Sequence, residues 1–288
     1  MRPVDVVVPI FEARECVIDC LESVARHARG DVRIVAVDDA SRDPALASWL
    51  EEFIAREPRA LLLRNETNRG FVVSANRGLR AARGRDVILL NSDTIVPRRF
   101  VEKLEAAAYD RTPALVTPLT NNGTICSVPR FMEVNELPAG LDVDDLARLV
   151  DGVSARRRPE LVTAVGFCMY VPHDVIASIG FFDEESFPRG YGEENDYSER
   201  ARAAGFVVRL CDDLFVAHVG RASFGKEGSE REAAHNDVMA MKHPGYHERV
   251  QRFVRENPLA DTHRELGRAI EVWQRRGRLG RALWRIGL

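Results

Sequence analysis

The side chains most able to do chemistry are acids and a histidine that follow apolar segments. Asn91, Ser92 and Asp93 come directly after the apolar run Asp86–Leu90, and His218 ends a later apolar segment. Carboxylate and imidazole groups are suitable ligands for a Mn²⁺ or Mg²⁺ ion that bridges two phosphates. Alone, His218 is more typical of a structural role, but beside Asp93 in one sheet it favours a metal site. We therefore predict that Asp93 and His218 bind a divalent cation.

Other polar groups occupy similar positions. Asp38 and Asp39 follow a second apolar run, and the acidic segment Glu193–Asp196 opens a predicted helix. Alone, the aspartate pair is equally typical of turn and helix-cap chemistry. The polar stretch Thr120–Pro138 is predicted to be a long functional loop, although its first residues are equally typical of a surface turn. The ensemble, more than any one motif, indicates a ligand site.

A parallel sheet would bring these groups together. Four apolar, often β-branched runs are typical of buried strands: Val4–Val8, Val32–Val37, Ala60–Leu63 and Asp86–Leu90. Segments with apolar residues at helical spacing separate them, which predicts a mainly parallel sheet with helices on both faces. Ligands of such sheets bind at the carboxyl ends of the strands, where the polar groups lie.

The alternation changes after Pro97. The later part is predicted to contain a helix near 98–109, a strand at 114–117, a helix at 143–150, a strand at 162–171, a helix from 193 to about 205, and strands at 207–210 and 214–218. From about residue 230 the chain is predicted to be helical and polar.

Composition narrows the function classes. The 288 residues are 45% hydrophobic, which is ample for a sizeable core, and the net charge of −3 does not indicate a nucleic-acid partner. We expect the five cysteines to be reduced core residues of a cytosolic protein. No signal peptide or membrane-spanning run is predicted. The chain has neither GxGxxG after its first strand nor GxxxxGK[ST], which weakens a dehydrogenase or P-loop interpretation.

The C-terminal segment is the most basic part of the sequence. Residues 264–288 contain seven arginines against two glutamates, with two tryptophans among apolar residues. Such an amphipathic segment could lie on an anionic membrane surface. A helix that packs on the main domain with a solvated basic face is equally compatible with the pattern.

Several stretches resemble the family 2 glycosyltransferases, in the right order over about residues 4–225. The N-terminal stretches resemble the family's nucleotide-sugar half, Asn91–Thr94 resembles its Asp-x-Asp metal motif, and the later stretches resemble its acceptor half. The stretches are Val4–Phe11, Val37–Asp43, Asn68–Phe71, Ala75–Gly78, Asn91–Thr94, Gly166–Met169, Gly180–Glu184, Gly190–Tyr197 and His218–Gly220. The resemblance implies a GT-A fold, here a Rossmann-like sheet with a mixed-sheet acceptor half, and inverting, metal-dependent transfer from a nucleoside-diphosphate sugar.

The resemblance also implies roles for individual residues. Asp39 would accept a hydrogen bond from a pyrimidine N–H, and Asp93 and His218 would be the metal ligands. The other residues expected along the nucleotide sugar are Pro9, Ile10, Phe11, Glu12, Asp38, Asn68, Gly70, Asn76, Asn91 and Ser92.

The catalytic group implied by the resemblance is an acid at the helix start. Glu194 would be the general base, kept ionised by the helix dipole, with Glu193 as the rival and Asp196 as a group that orients an acceptor hydroxyl or caps the helix. The sequence departs from the family at Asn91, which replaces the first acid of the metal motif. We expect this change to weaken metal binding without abolishing it.

The sequence thus predicts a catalytic domain at residues 1–229, with a nucleotide-sugar half at 1–97 and an acceptor half at 98–229, and a C-terminal helical extension at 230–288. Segments Gly166–Asp183 and Gly190–His218 resemble rhamnosyl- and related sugar transferases of surface polysaccharide assembly. That resemblance implies transfer from a UDP- or dTDP-sugar, with dTDP-rhamnose as one candidate, to a hydroxyl of a surface polysaccharide or glycolipid. The acceptor would be a glycan or a lipid-linked glycan. The protein would be cytoplasmic, and it would lie at the inner face of the plasma membrane if residues 264–288 bind that membrane.

Two other functions are compatible with parts of the sequence. A non-catalytic nucleotide-sugar or glycan-binding module of a larger synthase would explain Asn91, but Glu194 and His218 argue against it. A nucleotidyltransferase on a related fold should carry a Gly-rich N-terminal loop with a basic residue, which the Pro9–Arg14 segment does not supply.

Overall fold

The structure of the protein, a computed structural model, describes residues 1–188, 190–220 and 236–276. Its centre is a sheet of seven strands: β1 (Val4–Ile10), β2 (Val32–Asp38), β3 (Ala60–Arg64), β4 (Asp86–Leu90), β6 (Ala114–Leu119), β7 (Cys168–Val171) and β8 (Val207–Phe215). Their order in the sheet is β3-β2-β1-β4-β7-β6-β8. A separate two-stranded pair consists of β5 (Thr94–Ile95) and β9 (Ala217–His218).

The first four strands of the large sheet are parallel, as predicted. β1 lies between β2 and β4, and β3 pairs with β2. All seven residues of β1 are buried, because helices cover both faces of the sheet and a β-branched run suits that environment. β7 runs antiparallel to both β4 and β6, so the second half of the sheet is mixed. The expected Rossmann-like sheet with a mixed second half is therefore confirmed.

Three helices connect the parallel strands: α1 (Arg14–His27), α2 (Pro44–Arg56) and α3 (Phe71–Ala81). α2 begins where the sequence predicts, because Asp43 accepts a hydrogen bond from Ala45 N at 2.9 Å and proline suits the first helical position. α3 packs closely on β1. A Cβ at Gly78 would lie 2.1 Å from Val7 Cγ1, so only glycine permits that approach.

The later part of the chain contributes shorter elements. They are α4 (Phe100–Ala108), a 3₁₀ turn (Thr124–Cys126), α5 (Val143–Val153), α6 (His173–Ile179), α7 (Glu193–Ala203), helical residues 236–242, α8 (Tyr246–Glu256) and α9 (Ala260–Arg275). The predicted helices near 98–109, 143–150 and 193–205 are confirmed, with ends that differ by a few residues.

Two strand predictions need correction. Only Cys168–Val171 of the expected strand at 162–171 is a strand. The residues before it bond to side chains instead of a neighbouring strand: Ala164 N donates to Ser198 Oγ, and Val165 N donates to Thr117 Oγ1. The two strands expected at 207–210 and 214–218 are instead β8, which continues to Phe215, and the short β9.

β8 continues because its acidic middle is paired. Asp212 accepts hydrogen bonds from Ser154 Oγ and from the backbone of Arg157 and Arg158, and Asp213 lies 3.3 Å from the Arg156 guanidinium. Two aspartates that look like a strand break in the sequence are therefore buried with partners.

The C-terminal helix α9 packs on the main body of the protein. Leu266, Ile270 and Trp273 are buried and join the central hydrophobic core, which favours the packed-helix alternative for this part of the tail. Within the described residues, no helix is long and apolar enough to cross a membrane. The predicted boundary between 229 and 230, and the part of the tail from 277 onward, lie outside the described residues.

The cysteines agree with a core role. Cys20, Cys126, Cys168 and Cys211 are buried, Cys16 is half-buried, and none forms a disulfide in the structure. Burial raises the pKa of the Cys20 thiol to about 12, so this thiol is not a reactive thiolate.

Candidate active site

Asp93 and His218 face each other across the β5–β9 pair. Thr94 lies opposite His218 in the antiparallel register, which places the residue before Thr94 beside the histidine. His218 Nε2 is 3.3 Å from Asp93 Oδ1, and the two side chains are 15% and 13% exposed. The pair is therefore reachable from solvent but largely shielded from it.

The loop before the 3₁₀ turn fixes the orientation of His218. His218 Nδ1 lies 2.5 Å from the carbonyl oxygen of Asn122. The Asn121 side chain makes two hydrogen bonds with the backbone of His218. Asn121 Nδ2 donates to the carbonyl of His218 at 2.9 Å, and the N–H of His218 donates to Asn121 Oδ1 at 2.8 Å. When Nδ1–H donates to this carbonyl, Nε2 is the ring atom that faces Asp93. A proton on Nε2 is donated to the carboxylate, and its removal leaves a lone pair for a cation.

The segment after His218 holds Asp93. The N–H of Val219 donates to the carbonyl of Asp93, and the N–H of Gly220 donates to its Oδ2 at 2.9 Å. Gly220 has a φ of +66°, and a Cβ there would lie 1.8 Å from Asn122 Nδ2, so the position requires glycine. Burial opposes ionisation of Asp93, but the hydrogen bond and charge of His218 and the Gly220 N–H outweigh it and lower the pKa of Asp93.

The chemistry of this pair fits a divalent cation. Asp93 Oδ1 and His218 Nε2 lie side by side, and the other imidazole nitrogen is bound to a carbonyl, as is usual for metal-ligating histidines. No cluster of three or more potential metal-ligating residues occurs in the described part of the chain. Mg²⁺-type sites commonly use one or two protein ligands together with substrate phosphates, so two ligands are compatible with such a site.

Glu193 and Glu194 stand at the first turn of α7. The chain enters this helix through Gly190, Tyr191 and Gly192, which have φ values of +85°, +67° and +103°. A left-handed residue other than glycine costs about 1–3 kcal/mol and persists only where its surroundings enforce it. One oxygen of each glutamate is buried without a hydrogen-bond partner among the described residues, which is typical of a site that awaits a ligand.

The expectation that the helix dipole keeps Glu194 ionised is not supported. Burial raises the pKa of both Glu193 and Glu194, and the charge of Glu194 raises that of Glu193 further. A hydrogen bond between the two carboxyl groups raises the pKa of Glu193 but lowers that of Glu194, so it favours a proton on Glu193 and a charge on Glu194. Desolvation therefore outweighs the dipole here, and Glu194 is the member of the pair that ionises first.

Two consecutive residues, Gly166 and Phe167, lie between the Glu193–Glu194 pair and the Asp93–His218 pair. A Cβ at Gly166 would lie 4.0 Å from the Glu194 side chain, so this glycine lies directly beside the acid. The next residue, Phe167, stacks on His218 with ring centroids 5.4 Å apart and accepts a hydrogen bond from Asn91 N. The sequence-predicted catalytic and metal residues therefore lie on two sides of one short segment.

On the nucleotide side, Asp39 organises a loop. Asp39 is buried, its Oδ1 accepts from Asn65 Nδ2 and Arg69 N, and its Oδ2 accepts from Gly70 N at 2.8 Å. Gly70 has a φ of +86°, and a Cβ there would approach Pro188 O to 3.1 Å, so this loop also contacts the approach to α7. Asn68, in the same loop, is exposed.

The other predicted nucleotide residues lie around the ends of β1 and β2. Pro9 and Ile10 are buried in β1, and Phe11, 44% exposed, follows it. Glu12 accepts a hydrogen bond from Arg42 N, and Asp38 accepts one from Ser41 N. Asn91 and Ser92 are half-buried beside Asp93.

Asn76 does not have the direct ligand contact that we expect from the sequence. It is fully buried, its Nδ2 donates to the carbonyl of Phe182 and to Glu184 Oε1, and its Oδ1 accepts from the Phe182 N–H. Its hydrogen-bonding groups are used to fasten α3 to the 182–184 segment, so it is a structural residue.

Asp196 does not have the expected contact with an acceptor either. It is fully buried, and its carboxylate is bound by Arg200, Lys242 and His243 at 2.7–2.8 Å. It neither faces solvent nor caps α7 with its side chain. His243 and His247 have contacts within the protein: His243 binds Asp196, and His247 binds the carbonyl of Asn236.

The sequence did not connect Asn121, Asn122 and Phe167 with His218, which they position. The only signals were indirect. The two asparagines begin the polar stretch expected to be a functional loop, and Phe167 lies in a stretch of family resemblance. Neither signal connects these residues to a histidine so far along the chain.

Comparison with known proteins gives one family match. Residues 5–133 match the family model described as "Glycosyl transferase family 2". The "O-antigen biosynthesis protein RfbC" of Myxococcus xanthus is 34% identical over 240 residues, which cover 81% of this chain and 17% of that protein. Matches to the curated relatives span from 14% to 51% of their lengths.

Two solved structures are similar to this fold. GalNAc-T7, solved with UDP, GalNAc and Mn²⁺, has a TM-score of 0.62 at 14% identity, covering 89% of this chain and 55% of that one. The mannosyltransferase PcManGT from Pyrobaculum calidifontis, in complex with GDP-Man and Mn²⁺, also has a TM-score of 0.62, at 17% identity, covering 99% of this chain and 79% of that one. At these identities the likeness concerns the fold alone.

Proposed function

We propose that the chain is an inverting glycosyltransferase of family 2. The match of residues 5–133 to the family model and the GT-A fold support this proposal. It moves a sugar from a nucleoside-diphosphate sugar to a hydroxyl of a surface polysaccharide or glycolipid. UDP- and dTDP-sugars are the proposed donors, with dTDP-rhamnose as one candidate. The name of the Myxococcus xanthus relative, an O-antigen biosynthesis protein, supports the polysaccharide as product.

One observation carries the proposal. The Asp93–His218 pair and the Glu193–Glu194 pair lie on either side of Gly166 and Phe167. A transferase needs a place for the diphosphate and, next to it, a base for the incoming hydroxyl. The Asp93–His218 pair suits a cation bound to phosphates, and the Glu193–Glu194 pair suits proton transfer. The structure therefore offers a diphosphate site and a base next to each other.

Asp93 and His218 would hold the Mn²⁺ or Mg²⁺ ion. When bound there, the ion would stabilise the negative charge of the leaving diphosphate. Asp93 contributes a carboxylate whose pKa is lowered, which favours its ionised form, and His218 contributes Nε2, held in place by the contact of Nδ1 with Asn122. Asn91 offers an uncharged amide to the same region.

Glu194 would act as the general base. Inversion needs a single in-line displacement, in which the acceptor hydroxyl loses its proton as the new glycosidic bond forms and the bond to the diphosphate breaks. Glu194 accepts that proton. A carboxylate whose pKa is raised is a stronger base than an ordinary one, so burial beside Glu193 favours this role. Glu193 remains protonated and donates the hydrogen bond that stabilises the Glu194 charge.

The base and ribose of the donor would lie along the ends of β1 and β2. Phe11 offers an exposed aromatic ring there, and Asp39 fixes the backbone of the loop that carries Asn68 and Gly70. The proposed contact of Asp39 with a pyrimidine N–H needs a second lone pair of one of its oxygens, because Asn65, Arg69 and Gly70 already donate to the carboxylate.

The proposal is tested by incubating the full chain with UDP-, dTDP- and GDP-sugars, Mn²⁺ and a lipid-linked or oligosaccharide acceptor. Acceptor-dependent release of a nucleoside diphosphate, lost in Glu194→Gln, is the expected result. Binding of the donor without release in the wild-type chain, under every donor and acceptor tried, would favour the non-catalytic binding module instead.

A further inference from the structure

The C-terminal residues 236–256 hold the segment that carries the acid pair, and Lys242 is the centre of this contact. Its Nζ lies 2.6 Å from Asp183 Oδ2 and 2.8 Å from Asp196 Oδ1. Asp183 precedes the Gly190–Glu194 loop and Asp196 follows it. One ammonium group therefore binds the chain on both sides of Glu193 and Glu194.

His243 and Arg200 complete the binding of Asp196. His243 Nε2 lies 2.8 Å from Asp196 Oδ1, and Arg200 Nε lies 2.7 Å from Oδ2. Asp196 has no exposed surface, and a buried carboxylate is stable only when its charge is compensated. Removing one of these cations would leave that charge undercompensated, at the first turn of the helix that carries the acids.

Apolar contacts reinforce the same junction. Phe187, Met239 and Tyr246 form a small buried cluster that is separate from the central core. Phe187 lies three residues before Gly190, and the Lys242 ammonium lies 5.3 Å from the centre of its ring. Further along α7, Glu199 pairs with Arg249 of α8. The C-terminal residues thus contact the segment before Gly190 and two positions along α7.

The Gly190–Glu194 segment, called the acid loop below, needs such external support. Tyr191 has a left-handed φ of +67°, and α7 has no side-chain hydrogen bond at its N-cap. Glycine suits the left-handed positions 190 and 192, but Tyr191 is in a conformation that its residue type disfavours, so the contacts around it must enforce it.

We infer that Lys242 and His243 are positioning residues, which hold the start of α7 so that Glu194 lies beside Gly166 and the Asp93–His218 pair. The C-terminal extension is in this view a part of the catalytic apparatus. That the place of Glu194 matters for turnover rests on the proposed function. That Lys242 and His243 hold the start of α7 does not.

The test uses the full chain with three substitutions and one control. Lys242→Met removes the charge and keeps much of the length, Asp183→Asn removes one side of the bridge without burying a charge, and Lys242→Arg restores the charge. Met241→Gln is the control, because Met241 is 75% exposed beside Lys242. Backbone hydrogen exchange is measured over residues 190–197 and over β1.

Lys242→Met and Asp183→Asn should raise exchange at 190–197 about tenfold or more, whereas β1 stays protected, as expected for a local opening. Lys242→Arg should restore most of the protection, and Met241→Gln should resemble the wild type. Unchanged exchange at 190–197 in both Lys242→Met and Asp183→Asn would overturn the inference, and so would an equal loss of protection in β1, because that is global destabilisation.

Kinetics separate this inference from the proposed function. Lys242→Met should lower kcat about 10- to 100-fold and change the donor KM less than about threefold, since small misplacements of a catalytic group have effects of that size. An increase in KM with unchanged kcat would contradict the positioning role. If the wild-type chain transfers no sugar, the proposed function fails, and the exchange result still decides whether Lys242 positions the acid loop.

Discussion

His218 Nε2 lies 3.3 Å from Asp93 Oδ1 because the short strands β5 and β9 pair with Thr94 opposite His218. The two residues come from distant parts of the chain, and the backbone of Val219 and Gly220 returns to bind Asp93. The candidate metal site is therefore built by a two-stranded pairing outside the main sheet. Its geometry depends on the 120–123 loop as much as on the two ligands.

Asn91 offers a way to strengthen this site. It is half-buried beside Asp93, and its backbone carbonyl accepts a hydrogen bond from Thr94 Oγ1. Asn91→Asp should raise the affinity for Mn²⁺ in the presence of UDP about tenfold, because the number of ligand charges sets divalent-ion affinity. Calorimetry at fixed nucleotide measures it, with Asn91→Ala as the control that should change little. An affinity equal to that of the wild type for Asn91→Asp would mean that residue 91 does not face the ion.

The two glutamates of the acid pair should differ in their effects on turnover. Glu194→Gln should lower kcat at least about 100-fold with nucleotide binding retained, because general bases contribute effects of that size. Glu193→Gln should stay within about tenfold of the wild type, because its amide can still donate a hydrogen bond to Glu194. Initial rates and calorimetry on both variants check this, and the opposite order would assign the base to Glu193.

The acid pair should also make the protein less stable at neutral than at acidic pH. The pKa values of Glu193 and Glu194 are raised in the folded chain, so between the ordinary glutamate pKa and the raised values the folded state binds more protons than the unfolded one. Stability from this pair therefore falls as pH rises through that window.

Glu193→Gln tests this linkage. The variant should melt higher than the wild type at pH 7, by roughly 2–4 °C per kcal/mol gained, and the difference should vanish below the ordinary glutamate pKa of about 4.3. It should leave the acid limb of the kcat profile nearly unchanged, since the Gln amide can donate to Glu194 as the protonated Glu193 does. Thermal melts and rates across pH measure both, and a Tm difference that grows on acidification would refute the burial argument.

Trp273 tests how the C-terminal helix is held. Trp273 is 1% exposed in the central core, whereas the adjacent Val272 is 56% exposed. Trp273→Ala should destabilise the protein by about 3–5 kcal/mol in denaturant unfolding, and Val272→Ala should cost much less. Equal, small effects of the two substitutions would show that α9 does not contribute to the core in solution. Binding of residues 277–288 to anionic vesicles is a separate question, which a truncation after Arg276 addresses.

The central sheet could be predicted because its signals are local. β1, β2 and β4 are runs of apolar and β-branched residues that suit a strand covered on both faces, and polar residues follow them directly. For the same reason the sequence places Asp39, Asn91 and Asp93 at the correct edge. The pairing of Asp93 with His218 follows from the types of residue at two strand ends.

The errors concern pairs of side chains from distant segments, which leave no periodic pattern. Asn76 and Asp196 look like ligand residues in the sequence. In the structure the Asn76 amide is hydrogen-bonded to Phe182 and Glu184. The Asp196 carboxylate is bound by Lys242 and His243. The mutual effect of Glu193 and Glu194 on their pKa values likewise depends on burial, which the sequence does not specify. The residues before β7 are not a strand because the side chains of Thr117 and Ser198 take their hydrogen bonds.

The central claim, that Asp93 and His218 bind a divalent cation on a nucleoside diphosphate, is tested most directly by ligand-linked thermal stabilisation. UDP, dTDP and GDP are each added with Mn²⁺, with Mg²⁺ or with chelator to the wild-type chain and to Asp93→Ala. We predict that UDP or dTDP raises the Tm of the wild type only when the metal is present, as expected for a ligand that binds the folded state, and that Asp93→Ala abolishes the shift. Equal stabilisation of both proteins, or stabilisation that does not depend on the metal, would contradict the account.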